Sequence, residues 1–252
     1  RATALQKFAD SKDQGGRQIV FVSHDAGNAG AQRLLITLIE WLCDTKGVEP
    51  KIILRHGGPL VSEFYRLGPV LELDWISERT REKLVRFCGG SSSLIYVNTL
   101  VPGDVAEQLA SLHIPIVTHA HELENAINRW CVKEQLEALV RLTNHFIAAS
   151  PSVARNLENH HGVVPEKVTT VYEFIKCRKE NGDAVDRTAI RRKKQLPEEG
   201  CIIFGCGTTD WRKGPDLFIE VAHETKKLGL TDAHFFWIGN DTGELQNLDA
   251  KV

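Results

Sequence analysis

Methionine is missing from all 252 residues, including the first position, which is Arg1. The chain is therefore expected to be part of a longer polypeptide, with neither end natural. Long apolar runs are missing as well: none approaches the roughly 20 residues that cross a bilayer, and no signal-like apolar segment opens the chain. Any membrane contact would be peripheral. The six cysteines (Cys43, Cys88, Cys131, Cys177, Cys201 and Cys206) form no C-x-x-C pair and no zinc-type spacing. That excludes a disulfide framework and points to reduced thiols in a cytoplasmic protein. An excess of positive charge is absent too, with 31 Lys+Arg against 33 Asp+Glu and a net charge of -2. Nucleic acid is disfavoured as a partner, and any anion site must be local.

What is present is an ordinary globular composition, 42% hydrophobic and 25% charged, long enough for one large or two modest domains. QIVFVS (Gln18–Ser23) is a short β-branched run. It leads through the polar loop HDAGNAG into AQRLLITLIEWLCDTKG, whose apolar residues recur at helical spacing until Gly47. The alternation then repeats: KIILRH and PLVSEFYRLG; VLELD and SERTREKLVRFCGG; SLIYVNT and GDVAEQLASLH; IPIVTHA and HELENAINRWCVKEQLEALVRL; HFIAAS and PSVARNLENHHG; then VTTVYEF. Buried strands alternating with helices predict an α/β fold with a parallel sheet covered on both faces. Ser150-Pro151 supplies a capping hydroxyl before a first-turn proline, and Gly162 closes the same helix.

Residues 1–175 are thus expected to form a first domain. Residues 176–196 read as a polar linker with one short basic helix around Asp186–Gln195, its RRKK run a solvated face. From residue 197 to 252 a second domain begins, with CIIFGCG, a helix from Pro215 to about Leu228, and AHFFWIGND.

In open parallel sheets a ligand sits beyond the carboxyl ends of the strands, which confines the candidates to a few loops. In FGCGTTDWRKGPDLF (Phe204–Phe218) a strand, glycines and a polar loop precede a helix whose free N–H groups and dipole favour an anion. Arg212 and Lys213 add mobile cations there, a combination suited to a diphosphate. The small residues around Ala29 and Gly30, in the loop after the first strand, allow close approach of a ligand. That loop lacks the G-x-G-x-x-G spacing and the following acidic residue of a dinucleotide site, so nicotinamide chemistry is disfavoured. In THAHELE, His119 and His121 share one face of an extended segment and Glu122 opens the next helix. No third and fourth ligand can be argued for a metal, so a hydrogen-bonding role toward a ligand is expected.

Taken together, VSHDAGNAGAQRLLITLIEWL, LIYVNTLVPGDVAEQLASLHIPIVTHAHELENAI, IAASPSVARNLENHHGVVPEKVTTVYEFI and FGCGTTDWRKGPDLFIEVAHE resemble a family-4 glycosyltransferase, in the expected order and over nearly the whole chain. The nearest look is of bacterial members that build surface polysaccharides. The resemblance implies a GT-B fold: an N-terminal Rossmann-like domain on the acceptor side and a C-terminal one that binds a nucleotide-sugar donor. It implies that the loop at Ala29 and Gly30 lies under the donor phosphates and sugar, that His121 contacts the transferred sugar with Glu122 beside it, and that Arg212 and Lys213 meet the diphosphate near Gly207 and Thr208. The implied reaction is retaining glycosyl transfer to a glycan or lipid-linked acceptor, with the nucleotide sugar as co-substrate and no cofactor or divalent metal. A lipid-linked acceptor would bring the protein to the inner membrane face.

Two departures stand out. Many members carry an arginine directly after the glycine that ends the first donor-domain strand; here Thr208 follows Gly207 and Arg212 is left to supply that charge. The family's Glu-x7-Glu element would lie beyond Val252, and the matching spacing of Glu158 and Glu166 falls in the wrong domain. The chain alone is therefore expected to show no turnover. The alternatives are a non-catalytic GT-B-like module that binds a glycan or partner, and a nucleotide-sugar epimerase or phosphorylase.

Overall fold

A computed structural model of the chain describes residues 17–73, 78–90, 92–177 and 186–239. The expected linker's residues 178–185, Ser77 at a helix start, and Asn240 and Asp241 at the last strand's end lie outside the described residues. The chain divides into two compact units, residues 1–177 and 178–252.

The first unit alternates strands and helices. Its strands are β1 (Arg17–Ser23), β2 (Val48–Leu54), β3 (Val70–Glu72), β4 (Ser92–Asn98), β5 (Ile116–Ala120), β6 (His145–Ala148) and β7 (Val168–Thr170). Between them lie α1 (Gly30–Lys46), α2 (Val61–Leu67), α3 (Glu78–Cys88), α4 (Gly103–Leu109), α5 (Glu124–Trp130), α6 (Lys133–Leu142) and α7 (Pro151–His161). The strands form one parallel sheet in the order β3-β2-β1-β4-β5-β6-β7.

Side chains along a strand alternate between sheet faces, and both faces here are dry. Val20 and Val22 join Ile53, Ile95 and Val97 under α3, α4, α6 and α7, where Leu84, Leu109, Leu139 and Leu157 are buried. Ile19 and Phe21 join Ile52, Leu54 and Tyr96 under α1 and α2, through Leu35, Ile39 and Phe64. Two covered faces explain why the β1 sequence is a continuous apolar run rather than an alternating one. Each such large side chain contributes about 1.5–3 kcal/mol on burial.

Helix ends follow their local chemistry. Ser150 Oγ accepts the Val153 amide at 3.2 Å, and Gly162 takes the left-handed conformation after α7. Gly47 does the same after α1. Three expectations need correction. HELENAINRWCVKEQLEALVRL is two helices, not one: Cys131 and Val132 are extended, and α6 turns to pack on α4 so closely that a Cβ on Gly103 would run into the Gln135 carbonyl oxygen. Tertiary packing outweighs helical periodicity at that break. The strand expected over VTTVYEF stops at Thr170, because its partner β6 has only four residues and the ladder ends with it. Gly30 is the first residue of α1 rather than part of the loop.

In the second unit β8 (Cys201–Cys206) pairs in parallel with β9 (Ala233–Ile238), joined through α9 (Pro215–Lys227) and preceded by α8 (Arg187–Lys193). Asp186 caps α8 by accepting the Ala189 amide at 3.0 Å. Phe218 on α9 meets Phe235 and Trp237 on β9 edge to face, at 5.4 Å each. The basic run on α8 is not merely solvated. Arg191 donates to the carbonyls of Pro197, Glu198 and Gly200, which ties the helix to the segment entering β8.

Candidate functional site

In the first unit the strand order reverses between β1 and β4, so their carboxyl ends open the crevice where such sheets bind ligands. The register sets Leu54, Ser23, Asn98, His119, Ile147 and Thr169 in one row across the rim. The loops that matter leave from the next residues.

His121 is the first residue after β5, which brings its ring up over that row. Its Nε2 lies 3.1 Å from Asn98 Oδ1 and its Nδ1 lies 2.8 Å from Glu173 Oε1. Asn98 is fully buried and donates its amide nitrogen to the Ala31 carbonyl at 3.1 Å, so β4 links His121 to the first turn of α1. Under His121 packs His119, its ring tilted by 41° and the centroids 4.1 Å apart. Burial pushes the His119 imidazole down to about 3, with nearby His121 adding to the depression and Glu173 opposing it, so that ring is neutral. Burial also raises the Tyr96 phenol, which stays protonated and lies 2.6 Å from His119 Nδ1. A phenol donating to Nδ1 leaves His119 with an Nε2 proton and, among the described residues, no partner for it.

Glu122 does not open the next helix, as the spacing suggests; α5 begins at Glu124, two residues on. Its buried carboxylate instead accepts the backbone amides of His121, at 3.0 Å, and Leu100, at 3.3 Å. It therefore braces the β4 and β5 loops against each other. Ala29 is the extended residue that enters α1, and both it and Gly30 are exposed. A Cβ on Gly30 would meet nothing within 4 Å, and the first turn of α1 holds no acidic residue, which leaves that helix start open.

Sequence reasoning did not single out the rest of this rim. Thr99 follows β4 with φ 75, a conformation unusual for a branched residue, and its hydroxyl lies 3.2 Å from His24 Nδ1. The Gln32 amide nitrogen meets both His24 Nε2, at 3.1 Å, and Asp25 Oδ1, while Gln32 Oε1 is buried without a partner among the described residues. Strained backbone and orphaned buried polar atoms collect at functional sites. An open depression of about 610 Å³ lies instead along α5, α6 and the end of α7, lined by residues that include Glu124, Lys133, Arg141 and His161.

In the second unit the loop after β8 carries the remaining candidates. Gly207 has φ 147, and its place beside the Lys213 side-chain stem suits a residue without a Cβ. Thr208 donates its hydroxyl to Asp210 Oδ2 at 2.8 Å. Asp210 caps the short turn Trp211–Lys213 and holds the Arg212 guanidinium at 2.9 and 3.1 Å. The hydrogen bond from Arg212 leads the causes that lower the Asp210 carboxyl to about 2. Arg212 is thus not the mobile cation that the sequence suggests. Lys213 is exposed, and among the described residues no carboxylate lies within ion-pair reach of it. Asp216 occupies the first turn of α9.

The first unit therefore brings His121, Glu122 and the α1 start together through Asn98. Arg212, Lys213, Gly207 and Thr208 form a separate cluster on the second unit. No helix among the described residues is long and apolar enough to cross a membrane.

The chain resembles the solved structure of Anabaena Alr3699/HepE in complex with UDP and glucose (TM-score 0.70, 15% identity), covering 92% of this chain and 64% of that one. It also resembles WaaG, a glycosyltransferase involved in lipopolysaccharide biosynthesis (TM-score 0.65, 12% identity, 92% and 65% covered). A third likeness is to a UDP-GlcNAc 2-epimerase from Neisseria meningitidis bound to UDP-GlcNAc (TM-score 0.53, 10% identity, 88% and 66% covered). The chain spans about two thirds of the length of these proteins, and at such identities the likeness shows the shared GT-B type of fold. No curated protein matches the sequence. The sequence profile of Glycosyltransferase Family 4 matches residues 28–179, more than half of the chain, from the loop before α1 past Glu173. The chain belongs to Glycosyltransferase Family 4.

Proposed function

We propose that the protein transfers a sugar from a nucleotide-diphosphate donor to a glycan or lipid-linked acceptor, with retention at the anomeric carbon, in the building of a bacterial surface polysaccharide. The observation that carries the reading is the convergence of β4, β5 and the start of α1 on His121 through Asn98, in a chain of this family. In this reading residues 1–175 are the acceptor side, 176–196 the linker and 197–252 part of the donor side.

Each residue then has a task. His121 hydrogen-bonds a hydroxyl of the transferred sugar, and Glu122 holds the backbone that carries it. The open start of α1 at Ala29 and Gly30 offers amide N–H groups and a helix dipole to negative charge. On the second unit Lys213 meets the diphosphate, while Arg212, steadied by Asp210, contributes a shared charge near Gly207 and Thr208. As the sugar–phosphate bond breaks, charge grows on the departing diphosphate, and cations already in place stabilise it more than the ground state. No divalent ion is assigned a step.

The likeness to an epimerase reflects a fold used for more than one reaction, and the family match favours transfer. Calorimetric titration with UDP, GDP and dTDP tests the reading, with Lys213→Ala alongside. Binding of one diphosphate, weakened by the substitution, supports it; binding of none would remove it. Analysis of the anomeric configuration of the product separates retaining transfer from epimerisation.

A further inference from the structure

His121 is the residue on which the site turns, and its ring is held on both nitrogens by oxygen atoms. Asn98 Oδ1 stands 3.1 Å from Nε2 and Glu173 Oε1 stands 2.8 Å from Nδ1. The Asn98 oxygen cannot exchange places with its own amide nitrogen, because that nitrogen is committed to the Ala31 carbonyl. Two acceptors are satisfied together only by a ring that carries both protons. A ring with one proton keeps it on the side of the carboxylate, since a charge-assisted hydrogen bond is about twice as strong as a neutral one. In either state Nδ1 carries a proton.

The other groups around the ring do not compete for that role. His119 packs beneath it as a neutral, tilted ring. Tyr96 is engaged with His119. Glu122 faces the His121 backbone amide rather than the ring. Glu173 reaches the site because β7 ends at Thr170 and the exposed chain turns back over the rim, 52 residues away in sequence from the histidine.

We propose that Glu173 is the positioning residue of His121: its carboxylate fixes the ring's orientation and tautomer, with Nδ1–H toward Glu173 and Nε2 toward the crevice at Asn98. A carboxylate behind an imidazole commonly sets which nitrogen faces the ligand. The consequence for sugar binding rests on the transfer reading above; the assignment of Glu173 to His121 does not.

The test is a two-bond 1H–15N correlation spectrum of the chain labelled with 15N-histidine, recorded well above the ordinary histidine range of about 6.5. His121 is assigned by the signal lost in His121→Asn. The expected spectrum has a protonated Nδ1 and an unprotonated Nε2 at His121. In Glu173→Ala the Asn98 oxygen is the acceptor that remains, so the pattern inverts to Nε2–H while the other histidine signals stay in place. An Nε2–H ring in the unsubstituted chain overturns the proposal, and so does a His121 pattern that Glu173→Ala leaves unchanged. Because the unsubstituted chain already discriminates, loss of the variant to misfolding would not rescue the idea.

A second readout separates this from the function. Affinity for UDP-glucose should fall severalfold in Glu173→Ala while affinity for UDP holds. Absence of binding by either compound in the unsubstituted chain, together with the tautomer inversion, would remove the transfer reading and leave the Glu173 assignment standing.

Discussion

Arg212 and Lys213 are adjacent in sequence yet differ in what already neutralises them. Asp210 accepts three hydrogen bonds from the Arg212 backbone and guanidinium, whereas Lys213 has no such carboxylate among the described residues. A diphosphate that replaces solvent at Lys213 gains a charged hydrogen bond of about 1.5–3 kcal/mol, whereas at Arg212 it must share the guanidinium. Lys213→Ala should therefore weaken binding of the preferred nucleotide diphosphate roughly ten- to a hundredfold, and Arg212→Ala should weaken it less. Calorimetry on the two variants checks the ranking, and an equal or larger loss at Arg212 would reverse the roles. Asp210 itself offers a second check. Its carboxyl is lowered to about 2 from an ordinary 3.8, so its contribution to stability is complete above the ordinary value and disappears as pH falls through about 2. A carbon-detected titration of the Asp210 carboxyl should show its midpoint near 2, moving up toward 3.8 in Arg212→Ala. A midpoint that stays put would mean that the ion pair is not its cause. The sequence shows the two cations but not their difference, because the distinction lies in how a three-residue turn folds Asp210 back onto one of them.

At the scale of elements, α4 and α7 test two kinds of local rule. Gly103 opens α4 against the backbone of α6, and an added methyl group has only the Gln135 carbonyl to move. Gly103→Ala should cost about 1–3 kcal/mol through overpacking, with a melting temperature lower by roughly 2–4 °C per kcal/mol for a chain of this size. Ser150→Ala removes the cap of α7 and should cost about 1 kcal/mol. Calorimetric melting of the two variants compares them; a Gly103→Ala protein as stable as its parent would show that α4 and α6 do not meet so closely. The cap of α7 was legible in Ser150-Pro151, as was the end of α1 in Gly47, since both depend on adjacent residues. The contact at Gly103 was not, because nothing local in GDVAEQL says which helix will lie across it. The same limit hid Thr99 and Glu173. Thr99 takes a positive φ without the glycine that signals one, and Glu173 meets His121 only because the sheet sets β5, β6 and β7 side by side. His121 and Glu122 were singled out because a strand end followed by polar residues is itself a signal, although the bracing contacts of Glu122 were not foreseen.

Over the whole molecule the two units differ in how much apolar surface each covers with its own residues. Among the described residues, the large side chains that are fully buried, from Phe21 and Phe64 to Phe146, all belong to the first unit. In the second unit Leu217, Val221 and Leu228 remain more than half exposed, and β8 and β9 are paired only with each other among the described residues. Burial of apolar area is the main favourable contribution to folding, and a region with few buried apolar contacts opens at low free energy. Backbone amides of β8 and β9 should therefore exchange with deuterium well before those of β1, β4 and β5, whose exchange requires opening of a sheet covered on both faces. Exchange followed by mass spectrometry on the chain alone measures the difference directly. If a nucleotide diphosphate binds at Lys213, its binding free energy adds to the stability of the second unit, and protection there should rise with ligand concentration while the first unit's central strands change little. Equal protection of both units before any ligand is added would mean that the second unit is stabilised by contacts beyond its own small sheet. Protection that rises instead at β1 and β4 would place the nucleotide on the His121 rim.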